Sequence, residues 1–171
     1  ITDALEADKV AGGGVFVHFD NISGKKAEVY VDTEVHNSGK RTRTVAVETV
    51  LVDAGDVPVK RVSQQVKLQA GESKTVRQRF AVRNPKLWSP DSPYLYRIQS
   101  RVKAGHEVLD GGVTRVGIRK AEFKGKDGFW LNGKPFGQLV GANRHQDFAY
   151  VGNALPNSQQ WRDAKRLRDA G

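Results

Sequence analysis

With 171 residues the chain can hold one domain and part of a second, and its 28 Lys and Arg against 19 Asp and Glu leave a net charge of +9. The absence of Cys excludes disulfides, Cys-ligated zinc and a thiol nucleophile; Met is absent too. No apolar run approaches the roughly 20 residues that cross a bilayer, and no charged segment leading into an apolar one opens the chain as a signal peptide would, so no membrane partner is expected and the compartment stays unassigned.

Residues 1–12 are polar and predict a linker arriving from an upstream domain. From Gly14 to about Ile118 the pattern has period two. Val29, Val31, Thr33 and Val35 share one strand face, with Glu28, Tyr30, Asp32 and Glu34 on the other. The cluster from His36 to Lys40 then turns the chain. Val45, Val47, Thr49 and Leu51 repeat the alternation; Val62, Val66 and Leu68 follow, then Val76, Phe80 and Val82. A Pro-rich connection over 84–93 carries Trp88, and two more strands over 94–102 and 108–116 flank a turn at 104–106. Around seven short strands with regular turns and no helical period predict an all-β sandwich, wet on its outer faces. Arg41 with Arg43, and Arg77 with Arg79, fall on those wet faces. No aromatic residues are interleaved with them to stack bases, so the basic charge reads as solvated strand surface and no nucleic-acid partner is expected.

The pattern changes after Arg119. Residues 123–135 read as a hairpin with Asn132-Gly133 at its tip. Residues 136–142 suit a short buried strand, 143–157 a polar loop, and Asn157 or Ser158 can cap a helix with Trp161, Ala164 and Leu167 on one face and Gly171 as its C-cap. Strand, loop and helix make the opening of a βα unit, and one such unit cannot cover a parallel strand, so the architecture is expected to continue beyond this chain. Phe136, Leu139, Val140, Trp161 and Leu167 would then lack partners, and the piece is expected either to move freely or to cover itself against a second copy, a homo-oligomer.

Asn143, Arg144, His145, Gln146 and Asp147 stand just past the proposed strand, the end that faces the active site in a (β/α)8 barrel. An imidazole and an amide there can hydrogen-bond sugar hydroxyls, and an Arg can orient a carboxylate; an ordinary polar loop accounts for the same residues. His18, His36 and His106 are isolated and lack metal-ligand spacing, so no metal and no cofactor is expected. Trp88, Tyr94 and Tyr96 read as a plug at the sandwich edge before a sugar platform. Of the carboxylates after Arg119, only Asp147 is well placed for glycosidic chemistry, which needs two.

Several segments resemble glycoside hydrolase family 2, the family of β-galactosidases, β-glucuronidases and β-mannosidases. The stretch from Leu87 to Tyr96 looks like its LWSPxxPYLY segment, and Val116-Gly117-Ile118-Arg119 resembles its FGIR. The run from Gly128 to Phe136 is similar to its GFxLNGKP hairpin, and that from Gly141 to Asp147 to its GVNRHED loop, with Ala142 and Gln146 as departures. The resemblance implies a mainly β fragment: an immunoglobulin-like β-sandwich over 13–119, followed by a hairpin and the first βα unit of an incomplete (β/α)8 barrel over 120–171. It implies a retaining β-glycosidase, β-galactosidase-like, whose catalytic Glu pair lies outside this chain, so that the fragment is inactive. It also implies a carbohydrate partner met by His145, Arg144 and Asn143. A non-catalytic carbohydrate- or protein-binding sandwich is the alternative.

Overall fold

A computed structural model describes residues 14–137, 139, 141, 143–145 and 147–170. The linker expected over 1–12, and residues Val140, Ala142, Gln146 and Gly171, lie outside them. In chain order the strands are β1 (Val15–Asp20), β2 (Lys26–His36), β3 (Arg43–Val52), β4 (Pro58–Leu68), β5 (Ser73–Arg83), β6 (Tyr96–Ala104), β7 (Glu107–Val116), β8 (Ala121–Phe123), β9 (Phe129–Leu131) and β10 (Lys134–Gly137). An α-helix, α1, covers Asn157–Asp169, and a short 3-10 turn covers Gly125–Asp127. The chain divides into two units, Ile1–Gln138 and Leu139–Gly171.

The first unit is built of antiparallel sheets. One has the order β1-β2-β5, a second β4-β3-β6-β7, and a small third β10-β9-β8. Alternation explains the packing of the first two, because successive side chains on a strand point to opposite faces. Val29 and Val31 of β2 and Phe80 and Val82 of β5 meet Leu51 of β3 and Ile98 of β6 in one buried cluster. A second cluster joins Val35 and Val76 to Val45, Val47, Leu68 and Val102. Both clusters draw on both sheets, so the two sheets are the layers of a sandwich.

Between the two clusters lies a polar level. Thr33 sits between Val31 and Val35, Gln78 between Val76 and Phe80, Thr49 between Val47 and Leu51, and Ser100 between Ile98 and Val102; all four are buried. The Thr49 hydroxyl donates to Gln78 Oε1 at 2.5 Å, and Gln78 Nε2 donates to the Val47 carbonyl at 2.9 Å. The hydroxyls of Thr33 and Ser100 find no hydrogen-bond partner among the described residues.

The hairpin predicted at Asn132-Gly133 forms, as β9 and β10. Both turn residues have positive φ, 53° and 79°, the combination that a two-residue turn between twisted strands requires. The buried strand expected over 136–142 is not seen among the described residues. Phe136 belongs to β10, which pairs antiparallel with β9, while Leu139 and Gly141 have no strand pairing. Parallel strands are fixed by neighbours on either side, and the described residues provide neither such neighbours nor a barrel.

In the second unit α1 forms where its periodicity places it, but its start differs. Pro156, with φ −68° and ψ 153°, is the N-cap and no side chain caps the helix; its carbonyl accepts from the backbone N–H of Gln159 at 2.9 Å. The stripe of Trp161, Ala164 and Leu167 is exposed, and the half-buried positions are instead Gln159, Gln160 and Asp163. Leu139, Trp161 and Leu167 stand 54%, 66% and 52% exposed. Among the described residues no helix is long and apolar enough to cross a membrane.

Candidate functional site

The three residues singled out in the polar loop lie in the second unit, ahead of α1. Asn143 and His145 are exposed and Arg144 is half-buried. Arg144 is held by the helix: Nε donates to Asp163 Oδ2 at 3.0 Å, Nη2 bonds the same oxygen, and Nη1 donates to Gln160 Oε1 at 2.8 Å. The second carboxylate oxygen of Asp163 accepts from Gln159 Nε2 at 2.9 Å. The helix face that sequence periodicity leaves out, with Gln159, Gln160 and Asp163, is therefore the one that grips the loop. Spacing along the helix could have found it, since positions 159, 160 and 163 share a face. Asp147 is exposed, and Phe148 pairs with Gly152 in an isolated antiparallel bridge that turns the loop.

Acid-base chemistry at a glycosidic bond needs two carboxylates on either side of it, one of them with a raised pKa. In the second unit Asp163 is committed to Arg144 and Asp169 is paired with Lys165. In the sandwich the shifts run the wrong way for a general acid. Glu28 is held down to about 2 by hydrogen bonds from Lys26, Asn21 and Arg79. Burial pushes Glu48 up, but Lys103, Arg61 and Arg101 outweigh it and hold the carboxyl low. The backbone N–H of Gln69 and the Lys74 ammonium lower Glu72 likewise. No group of three His, Cys, Asp or Glu that could hold a metal ion occurs among the described residues.

The aromatic residues of the Pro-rich connection are structural. Trp88 has the Arg119 guanidinium 5.1 Å from its ring centroid, and a methyl added to Gly117 would come within 2.9 Å of its side chain. Its backbone N–H donates to the Ile118 carbonyl at 2.8 Å. Tyr94 and Tyr96 meet edge to face at 4.9 Å, and their hydroxyls accept backbone N–H bonds from Ala54 and Lys86 at 3.1 and 2.9 Å. With both hydroxyls and the Trp face engaged, these rings act as the edge plug. Sequence reasoning missed Asn132. Beyond making the turn, its Nδ2 donates to the Trp88 carbonyl at 2.9 Å and its Oδ1 accepts from the Lys120 N–H at 3.0 Å, tying the hairpin to the sandwich. Of the isolated histidines, His18 stacks on Tyr30 at 4.7 Å and His36 bonds the Ser73 hydroxyl at 2.9 Å.

Residues 14–119 match the family model described as glycosyl hydrolases family 2. The chain is 33% identical over 154 residues to a β-galactosidase of Thermoanaerobacter pseudethanolicus, covering 90% of this chain and 20% of that protein. It is 30% identical over 166 residues to a β-glucuronidase of Formosa agariphila, covering 96% and 17%. Among solved structures, a family 2 glycosyl hydrolase from Bacteroides cellulosilyticus superposes with a TM-score of 0.87 at 35% identity, covering 92% of this chain and 20% of the other. The chain thus spans about a fifth of the length of these relatives.

Proposed function

The chain belongs to glycosyl hydrolases family 2, and from that premise we propose that it is part of a longer retaining β-glycosidase acting on β-galactosides. In this reading residues 13–119 are an immunoglobulin-like sandwich, residues 120–171 open the (β/α)8 barrel, and residues 1–12 link to an upstream domain. The sheet orders β1-β2-β5 and β4-β3-β6-β7, with the chain crossing between sheets after β2, β4 and β5, support the sandwich assignment. Asn143, Arg144 and His145 are the substrate-side residues, in the loop before α1, the place where a βα unit presents its groups to substrate. The exposed imidazole and amide offer the donors and acceptors that sugar hydroxyls need.

One observation carries the activity: the match to a β-galactosidase along nine-tenths of this chain. The catalytic carboxylate pair is assigned to the remainder of the enzyme: Asp163 and Asp169 are engaged by cations, Glu28 and Glu48 are held at low pKa, and the exposed Asp147 by itself does not make a pair.

The test is hydrolysis of chromogenic β-galactosides and β-glucuronides by the full-length polypeptide, with the anomer of the first-formed sugar followed by NMR. Cleavage of the galactoside with retention is the expected result. Preference for the glucuronide overturns the substrate assignment, and inversion overturns the mechanism.

A further inference from the structure

Arg144 stands between Asn143 and His145 in the loop proposed to meet the sugar, yet its guanidinium is spent on the helix. Two of its nitrogens bond Asp163 Oδ2 and a third bonds Gln160 Oε1. The Arg144 and Asp163 side chains are only 24% and 16% exposed, whereas Asn143 and His145 are open to solvent. A guanidinium whose charge is matched by a carboxylate in a screened setting is a poor ligand for a neutral hydroxyl and a good anchor. Its planar fork fixes direction as well as distance. Asp163 is itself held, since its other oxygen accepts from Gln159 one helical turn before it. The chain Gln159, Asp163, Arg144 therefore transmits the orientation of α1 to the backbone on either side of Arg144.

Resting on the substrate-side reading of this loop, the geometry points to Asp163 as a positioning residue that acts through Arg144 to set His145 against the sugar, with Arg144 itself making no sugar contact. Placement of a contacting group matters because a misplacement of about 1 Å can cost on the order of 100-fold in rate.

The experiment measures kcat/KM of the full-length enzyme on its β-glycoside for His145→Ala, Asp163→Ala and the double variant, with thermal unfolding of each. His145→Ala and Asp163→Ala are each expected to lower kcat/KM, the latter by about 10- to 100-fold. The double variant should then be no worse than His145→Ala alone, because the holder has nothing left to hold. Asp163→Asn keeps the shape and an acceptor oxygen without the charge. It should fall between wild type and Asp163→Ala, and it carries the test if the Ala variant does not fold. Additive losses, or full activity of the Asp163 variants, overturn the positioning role and leave the loop reading standing. A fully active His145→Ala overturns the loop reading, and this inference with it.

Discussion

Thr33, Thr49, Gln78 and Ser100 put four polar side chains at one level of a core whose levels above and below are apolar. Their energetic consequences differ because their partners differ. Gln78 bridges the sheets, accepting from Thr49 of β3 and donating to the Val47 carbonyl. Gln78→Ala would take the acceptor from the buried Thr49 hydroxyl and leave a void, and the expected cost is about 2 kcal/mol in denaturant unfolding. Thr33 makes no such bond, so Thr33→Val, which keeps the shape and drops the hydroxyl, is expected to change stability by less than about 0.5 kcal/mol or to raise it. Equal losses for the two variants would contradict the assignment of the bridge to Gln78. Period-two patterning sees Arg77 and Arg79 facing water and so puts Gln78 inside, but it does not say what an interior amide bonds to. That needed the register that aligns Val31 with Gln78 and the sheet facing it.

Glu28 illustrates charge at the same scale. Its carboxylate bonds Lys26 at 2.8 Å, Asn21 at 3.0 Å and Arg79 at 2.6 Å, which lower its pKa from the ordinary 4.5 to about 2. A carboxyl whose folded pKa is depressed adds stability that is fully present above the unfolded pKa and is lost as pH falls through the folded one. Unfolding followed from pH 6 to pH 2 should therefore show a loss of stability that begins near pH 4.5, and Glu28→Gln should flatten that portion of the curve. An unchanged acid limb in the variant would place the linkage elsewhere.

Among the elements, the strands β2 and β5 were legible because their inward and outward residues alternate, and β3 because Val45, Val47, Thr49 and Leu51 keep that spacing, although Val50 and Val52 on its other face are buried too. The turn at Asn132-Gly133 was legible because few residues tolerate φ values of 53° and 79° in succession. The strand expected over 136–142 was not, since an apolar run carries no information about the partners that would pair it. The helix was placed correctly by its period, yet its working face was misjudged. Trp161 and Leu167 look like the contact side, while Asp163 and Gln160 make the contact with Arg144. The link between hairpin and sandwich was invisible as well, because Asn132 and the Trp88 carbonyl are 44 residues apart. Asn132→Gly keeps the turn conformation and removes both side-chain bonds. It is expected to speed amide exchange across β8, β9 and β10 while leaving β2 and β5 protected. Unchanged exchange in the hairpin would show that its own pairing suffices.

At the scale of the whole molecule, the sandwich has its own core, whereas the second unit exposes Leu139, Trp161 and Leu167 and holds its loop through Arg144. The chain spans about a fifth of its relatives. In the proposed enzyme those apolar residues are covered by the rest of the barrel, and the carboxylates that break the glycosidic bond arrive with it. The family was legible from four short segments; the site was legible only as a loop, because an exposed amide and imidazole at Asn143 and His145 do not by themselves say what they bind. The most direct test is a side-by-side assay of β-galactoside hydrolysis by these 171 residues and by the full-length polypeptide. The account predicts turnover by the full-length polypeptide and none by the 171-residue chain. Turnover by the chain alone would contradict it, placing a working carboxylate pair among the residues described above.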